Sequence, residues 1–467
     1  MAETRGRVTQ INWLSEIVCA FVTTAPNRSE LLTLQFSSSD PPFTIEHKRS
    51  MIQLLTAALV SRREIRAFHG DQDPVITGID FPPPNISPIG PAIHNDFYSI
   101  TGSAIPDNAE IVFESGALSI AVTPDLRRPH WLLVEQLPAA IPAGPCTVFL
   151  RAGAWQSDRV PVTVFSGPLQ TVRVLYPGRP STTPYTFVFA ASPASETSGG
   201  AVNADPILTN RAAFHDVVRH CLANLLTVTE TLLREENLEA SVRFISIFDN
   251  AQGATTANAL VREIAPNLLE PMRDRLNAFA GRYAVDPDIV FCISGSTTFT
   301  RASAWFTTDD ATKPGVNFTY DGTARTHRRF TDIPGSAALS TSMDTTGLTA
   351  IHEFGHAASD FANGMVIDLY VDATRTGFVV NKKMRALASD PIPANFATYG
   401  GTTFQSDQNR DTLGYPNTWR SHHPALQDTT RPNLMDNYWL TAQPQRCRLD
   451  GLTFNWFRDR LRAKILR

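Results

Sequence analysis

Thr349-Ala350-Ile351-His352-Glu353-Phe354-Gly355-His356-Ala357-Ala358 is the stretch on which the reading of this chain turns. It holds His-Glu-x-x-His. On a helix with ~1.5 Å rise and ~100° per residue, His352 and His356 share one face, spaced so that two imidazoles can close on a single metal ion. Glu353 follows the first histidine directly, off that face, where it can take a proton from the metal's water instead of binding the metal. Leu348, Ile351, Phe354 and Ala358 make an apolar stripe beside the histidines, and Asp344 or Thr345 can cap the start. Asn363 and Gly364 suit a stop. The expectation is a zinc site, with Zn2+ as cofactor and hydrolysis as its chemistry.

Around this helix the chain runs to 467 residues, 42% hydrophobic and 18% charged, which is material for two or three globular domains. A formal net charge of -4 gives no sign of a nucleic-acid or lipid-surface partner. No apolar run is long enough to span a membrane, and the first 16 residues are too broken by polar side chains for a signal-peptide core. The expected location is cytoplasmic, or outside the cell by a route the N-terminus does not show. Cys19, Cys146, Cys221, Cys292 and Cys447 are scattered, odd in number and without metal-ligand spacing, so buried reduced thiols are expected.

Taken in order, residues 1–72 read as a small α+β unit. Ile17–Val22 and Leu31–Phe36 form its strands and Lys48–Ala67 its helix. Residues 73–167 carry short strands with turn residues at regular intervals, the spacing of a β-sandwich. From 168 to 467 the pattern is mixed α/β. Strands are expected at Val172–Tyr176, Thr186–Ala190, Val242–Phe248 and Asp288–Ser294, and a loop at Ser192–Pro206. Helices are expected at Asn210–Glu236 and at Thr256–Ala280, the latter broken at Pro266.

Two histidines leave zinc short of a third protein ligand. No glutamate follows Glu353, so a glutamate ligand from a later helix, the gluzincin arrangement, is excluded. Asp360 continues the i, i+4 row but would lie ~12 Å along the axis from His352. His422 and His423 are the only later histidines. Asp368 and Asp372 follow once Gly364 lets the chain turn.

The run His352-Glu353-Phe354-Gly355-His356, followed by Asp368-Leu369-Tyr370, resembles the IgA-peptidase-type zinc metallopeptidases, a zincin family. That resemblance implies an α/β zincin-like catalytic domain acting on a protein or peptide substrate. It favours Asp368 as third ligand, with Asp372, His423, His422 and Asp360 as alternatives. It also makes Gly335–Ser340 the edge strand that would receive substrate. Pro432-Asn433-Leu434-Met435-Asp436-Asn437-Tyr438-Trp439 resembles the methionine turn of metzincins, with Met435 as an apolar floor under the metal and Tyr438 or Tyr370 facing the oxyanion. Pro74–Pro82, which opens the sandwich, Ile100-Thr101-Gly102-Ser103 and the closing Arg159–Val164 resemble a TIG-type immunoglobulin-like domain, which implies a spacer or docking module. A zinc hydrolase of a non-peptide amide or ester is a second reading, and a scaffold with structural zinc a third. Oligomeric state is left open.

Overall fold

Alternating apolar residues at the start of the chain build a first sheet. The computed structural model describes most of residues 2–342, with 228–241 the longest stretch outside it. It also describes 348–358 and, beyond, only 365–366, 397–399, 402–407, 418–421 and Leu434. Strands β1 (Ala2–Leu14), β2 (Ile17–Ala25), β3 (Arg28–Gln35), β4 (Glu64–His69) and β5 (Ile76–Asp80) pair in the order β3-β2-β1-β4-β5. Helix α1 (Pro42–Ser61) covers one face, placing Met51, Leu55 and Ala58 against Val18, Ala20, Val22, Leu32 and Leu34. The first sheet therefore extends past residue 72. Ile76–Asp80, expected to open the sandwich, pairs antiparallel with β4 instead.

Two further sheets share one core. The first joins β7 (Ala92–Ile93), β9 (Glu110–Ser115), β10 (Leu118–Val122), β13 (Gly144–Ala152), β14 (Trp155–Gln156) and β15 (Val160–Phe165). The second joins β6 (Ile86–Ile89), β8 (Tyr98–Gly102), β11 (Leu126–Arg128) and β12 (Trp131–Val134). Tyr98, Ile100 and Leu132 of the second sheet pack with Ile111, Phe113, Val148 and Leu150 of the first. Inward-facing alternate residues from both sheets make the core of a sandwich. These strands and the first sheet form one compact unit, Met1–Pro168; the second unit is Leu169–Arg467.

The second unit is built on a six-stranded mixed sheet. Its members are β16 (Val172–Tyr176), β17 (Tyr185–Ala191), β20 (Val242–Ile247), β23 (Ile289–Ser294), β24 (Ser303–Trp305) and β29 (Gly335–Ser340), in the order β16-β20-β17-β23-β29-β24. The inner four run parallel, and every residue of β17, β23 and β29 is buried. Strands covered on both faces read as near-continuous apolar runs, which is why Tyr185–Ala191 and Ile289–Ser294 are central strands.

On one face, Val188, Ala190, Ile245, Val290, Cys292 and Ala338 meet Leu260, Val261, Leu269, Leu276 and Phe279. Those partners come from a four-stranded sheet of β18 (Ala194–Glu196), β19 (Val202–Ala204), β21 (Ala259–Ala265) and β22 (Leu268–Pro271), and from α3 (Arg273–Gly281). Here two expectations fail. Thr256–Ala280 is not one broken helix but a 3-10 turn, the β21–β22 hairpin and a short helix. Its apolar residues recur at helical spacing, yet Pro266 and Pro271 cannot donate within a helix, and Arg262 pairs across the hairpin with Glu270. Ser192–Pro206, expected as a loop, holds β18 and β19 because β21 offers an edge to pair with.

The opposite face carries Phe187, Phe189, Phe244 and Phe291, with ring centroids 5.2 Å apart in the pairs Phe187–Phe244 and Phe189–Phe291. Helix α2 (Arg211–Thr227) and helix α4 (Leu348–Ala357) belong to this face. Buried Asp205 ties the approach to α2 onto the end of β23, accepting from Ser294 Oγ at 2.5 Å, Gly295 N at 2.7 Å and Ile207 N at 2.9 Å. Burial holds its carboxyl above the ordinary value, against the pull of those donors.

The remaining described strands are β25 (Thr308–Asp310) with β28 (Arg329–Ile333), the hairpin β26 (Val316–Tyr320)–β27 (Thr323–His327), and a sheet of β30 (Met365–Val366), β31 (Ala397–Tyr399), β32 (Thr402–Asp407) and β33 (Thr418–Ser421). The described chain is multi-sheet and strand-rich, with few helices. Cys19, Cys146, Cys221 and Cys292 are buried thiols; Cys447 lies outside the described residues. No described helix is long and apolar enough to cross a membrane.

Candidate metal centre

Helix α4 sits close to the sheet because the sheet beneath it is made small. A Cβ on Gly335 would collide with the carbonyl of Ala357, so only glycine fits there. Ala337 and its cross-strand partner Ala304 continue that low floor toward β24. Phe354 then reaches down to Phe187, ring centroids 5.5 Å apart. This gives the run Gly335–Ser340 a different role from the one expected. It is not the sheet edge, since β24 pairs antiparallel along its outer side; the small side chains admit a helix, and the described edge is Ser303–Trp305.

Nearly all of α4 is buried, including His352 at 4% exposure and Glu353 at 5%; His356 is half-buried. The two imidazoles stand nearly perpendicular, centroids 4.9 Å apart, with their Nε2 atoms 3.2 Å from each other. Two nitrogens bound at ~2.0–2.1 Å to a tetrahedral zinc lie about 3.3 Å apart, so the spacing of the pair matches that of two ligands of such an ion. His352 Nδ1 donates to the backbone carbonyl of Leu434, at 2.5 Å, which turns its Nε2 toward His356. Glu353 follows His352 on the helix and is likewise buried. A buried carboxylate is costly unless it is paired, hydrogen-bonded or bound to a metal.

Among the described residues no group of three histidine, cysteine or acidic side chains gathers as a metal cage. Asp360, Asp368, Asp372, His422 and His423 all lie outside the described residues, as do Met435, Tyr438, Tyr370 and the caps at Asp344, Thr345, Asn363 and Gly364. What the sequence reading missed is the Leu434 carbonyl. The Pro432–Trp439 segment drew attention through Met435, but the contact comes from the main chain one residue earlier, and a backbone acceptor leaves no mark in residue type.

No protein-family model matches the chain, and no curated protein matches it. Among solved structures, a metallo-carboxypeptidase from Burkholderia cenocepacia is similar at 11% identity and a TM-score of 0.18, over 52% of this chain and 80% of that one. A putative carboxypeptidase from Burkholderia mallei is similar at 9% identity and a TM-score of 0.16, over 46% of this chain and 62% of that one. Likeness at this level carries no argument about fold or chemistry, so what the centre can do follows from the residues of α4 themselves.

Proposed function

We propose that the chain is a zinc-dependent metallopeptidase whose centre is built on α4. The observation that carries this is the approach of two imidazole Nε2 atoms to 3.2 Å on a buried helix whose next residue after His352, Glu353, is buried as well. His352 and His356 would hold the metal. Asp368 is the proposed third ligand, by resemblance to the IgA-peptidase-type enzymes. Bound there, zinc would polarise a carbonyl and make water a nucleophile near neutral pH.

The chain's own part is proton handling and exclusion of bulk water. Glu353 takes the proton of the attacking water and returns it to the leaving amine. Its enclosure keeps that proton from exchanging freely with solvent. An extended peptide would pair along Ser303–Trp305, the outermost described strand, rather than along Gly335–Ser340. In this proposal residues 168–467 form the zincin-like catalytic domain, and the upstream TIG-like sandwich is a spacer or docking module.

The test is Glu353→Gln. Zinc content should stay stoichiometric and the melting temperature close to the parent's, while hydrolysis of a broad peptide library falls by about 10²-fold or more. Full zinc with activity within a few-fold of the parent would remove Glu353 from the chemistry. A parent that binds zinc but cleaves no peptide in the library would turn the reading toward another amide or ester.

A further inference from the structure

Resting on the zinc reading, we propose that Leu434 is a positioning residue: its carbonyl selects the tautomer of His352 and so designates the metal-binding nitrogen. A carbonyl oxygen only accepts, so the His352 Nδ1–Leu434 O contact requires the hydrogen on Nδ1. In the neutral ring Nε2 then carries the lone pair, and Nε2 is the atom that faces His356.

Left to itself a neutral imidazole side chain favours the opposite form, with the hydrogen on Nε2, which would put an N–H where a metal must bind. The helix cannot correct this on its own. The spacing of His352 and His356 sets where the rings stand, and nothing in an i, i+4 pair decides which nitrogen is protonated.

The correcting group arrives from 82 residues further along the chain. Leu434 is 0% exposed, so its carbonyl is held by a packed side chain and not by a solvated loop. A buried acceptor facing a buried ring nitrogen is also a pair that neither member can leave without losing its hydrogen bond. The C-terminal segment thus sets metal affinity together with the helix that bears the histidines.

The experiment uses the full-length protein labelled with 15N-histidine and freed of metal by chelation. Long-range proton–nitrogen spectra, with His352 identified by its loss in His352→Gln, should show the hydrogen on Nδ1 before any metal is added. Zinc affinity is then measured by competition with a chromophoric chelator for the parent, Leu434→Ala, Leu434→Met and Leu276→Ala.

Leu434→Ala loosens the carbonyl and should weaken zinc binding about 10–100-fold, the range typical of groups that orient a ligand. Leu434→Met keeps the volume and should stay within about threefold. Leu276→Ala, a comparable loss of buried volume on the far face of the sheet, should stay within about twofold. His352 carrying its hydrogen on Nε2 in the metal-free parent overturns the proposal, even if zinc binds. So does Leu434→Ala with parental affinity. If the Nδ1–H form is found but zinc does not bind the parent, the positioning contact stands and the zinc reading falls.

Discussion

Gly335→Ala tests how the site is carried by the sheet. A Cβ at this position meets the Ala357 carbonyl, with its carbon at 2.8 Å, and Ile289 Cγ1 at 3.3 Å. The obstacle is backbone and the neighbours are packed, so relief requires the last turn of α4 to lift from β29. Overpacking of this kind costs about 1–3 kcal/mol. Taking about 2 kcal/mol, the melting temperature of a unit this size should fall by roughly 3 °C.

His356 lies one residue before Ala357, so the displacement should also open the 3.2 Å Nε2–Nε2 approach. If all of that strain reached the histidine pair, zinc affinity would drop roughly thirtyfold, since about 1.4 kcal/mol is a factor of ten. Thermal denaturation followed by circular dichroism reads the first effect and chelator competition the second. Gly253→Ala is the control, because a Cβ there meets nothing within 4 Å, and it should change neither. Gly335→Ala melting within about 1 °C of the parent with unchanged zinc affinity would refute the claim that this glycine sets the helix height.

Phe354→Ala removes the ring that rests on Phe187 and should cost about 3–5 kcal/mol, measured by denaturant unfolding; a loss below about 1 kcal/mol would mean α4 is not anchored by the phenylalanine face. Ser294→Ala withdraws a donor from Asp205, whose folded carboxyl is already held above its ordinary value of 3.8 by burial. Stability tied to a raised carboxyl is full below that ordinary value and lost as pH rises through the folded one. Removing the hydroxyl pushes the carboxyl further up, so the variant's deficit should grow from about 0.5–1.5 kcal/mol near pH 3.5 to about 1.5–3 kcal/mol at pH 7. Equal deficits at the two pH values would contradict it. Asp368→Ala should empty the zinc site while the protein stays folded, and Asp360→Ala should leave zinc in place, both read after dialysis against a weak chelator; the reverse pattern would move the third ligand to Asp360.

How much of this was legible in advance depends on how far apart the interacting residues are. The approach of His352 to His356 is an i, i+4 relation, fixed by helix geometry inside five residues, and any reader of those five residues can derive it. The central strands Tyr185–Ala191 and Ile289–Ser294 were equally open to reading, since burial on both faces demands an unbroken apolar run. The β21–β22 hairpin was hidden because its apolar residues also satisfy a helical period; Pro266 and Pro271 weaken a helix, and pairing between the two strands and with β18 decides against it. The small residues of Gly335–Ser340 suggested an edge strand open to a substrate peptide. It took the packed sheet to show that the visitor is α4 and that the outer edge belongs to Ser303–Trp305. Least visible was the Leu434 carbonyl on His352. Every residue but proline offers the same backbone acceptor, so chemistry of side chains cannot single one out; only the folded path of the chain brings that one to the ring.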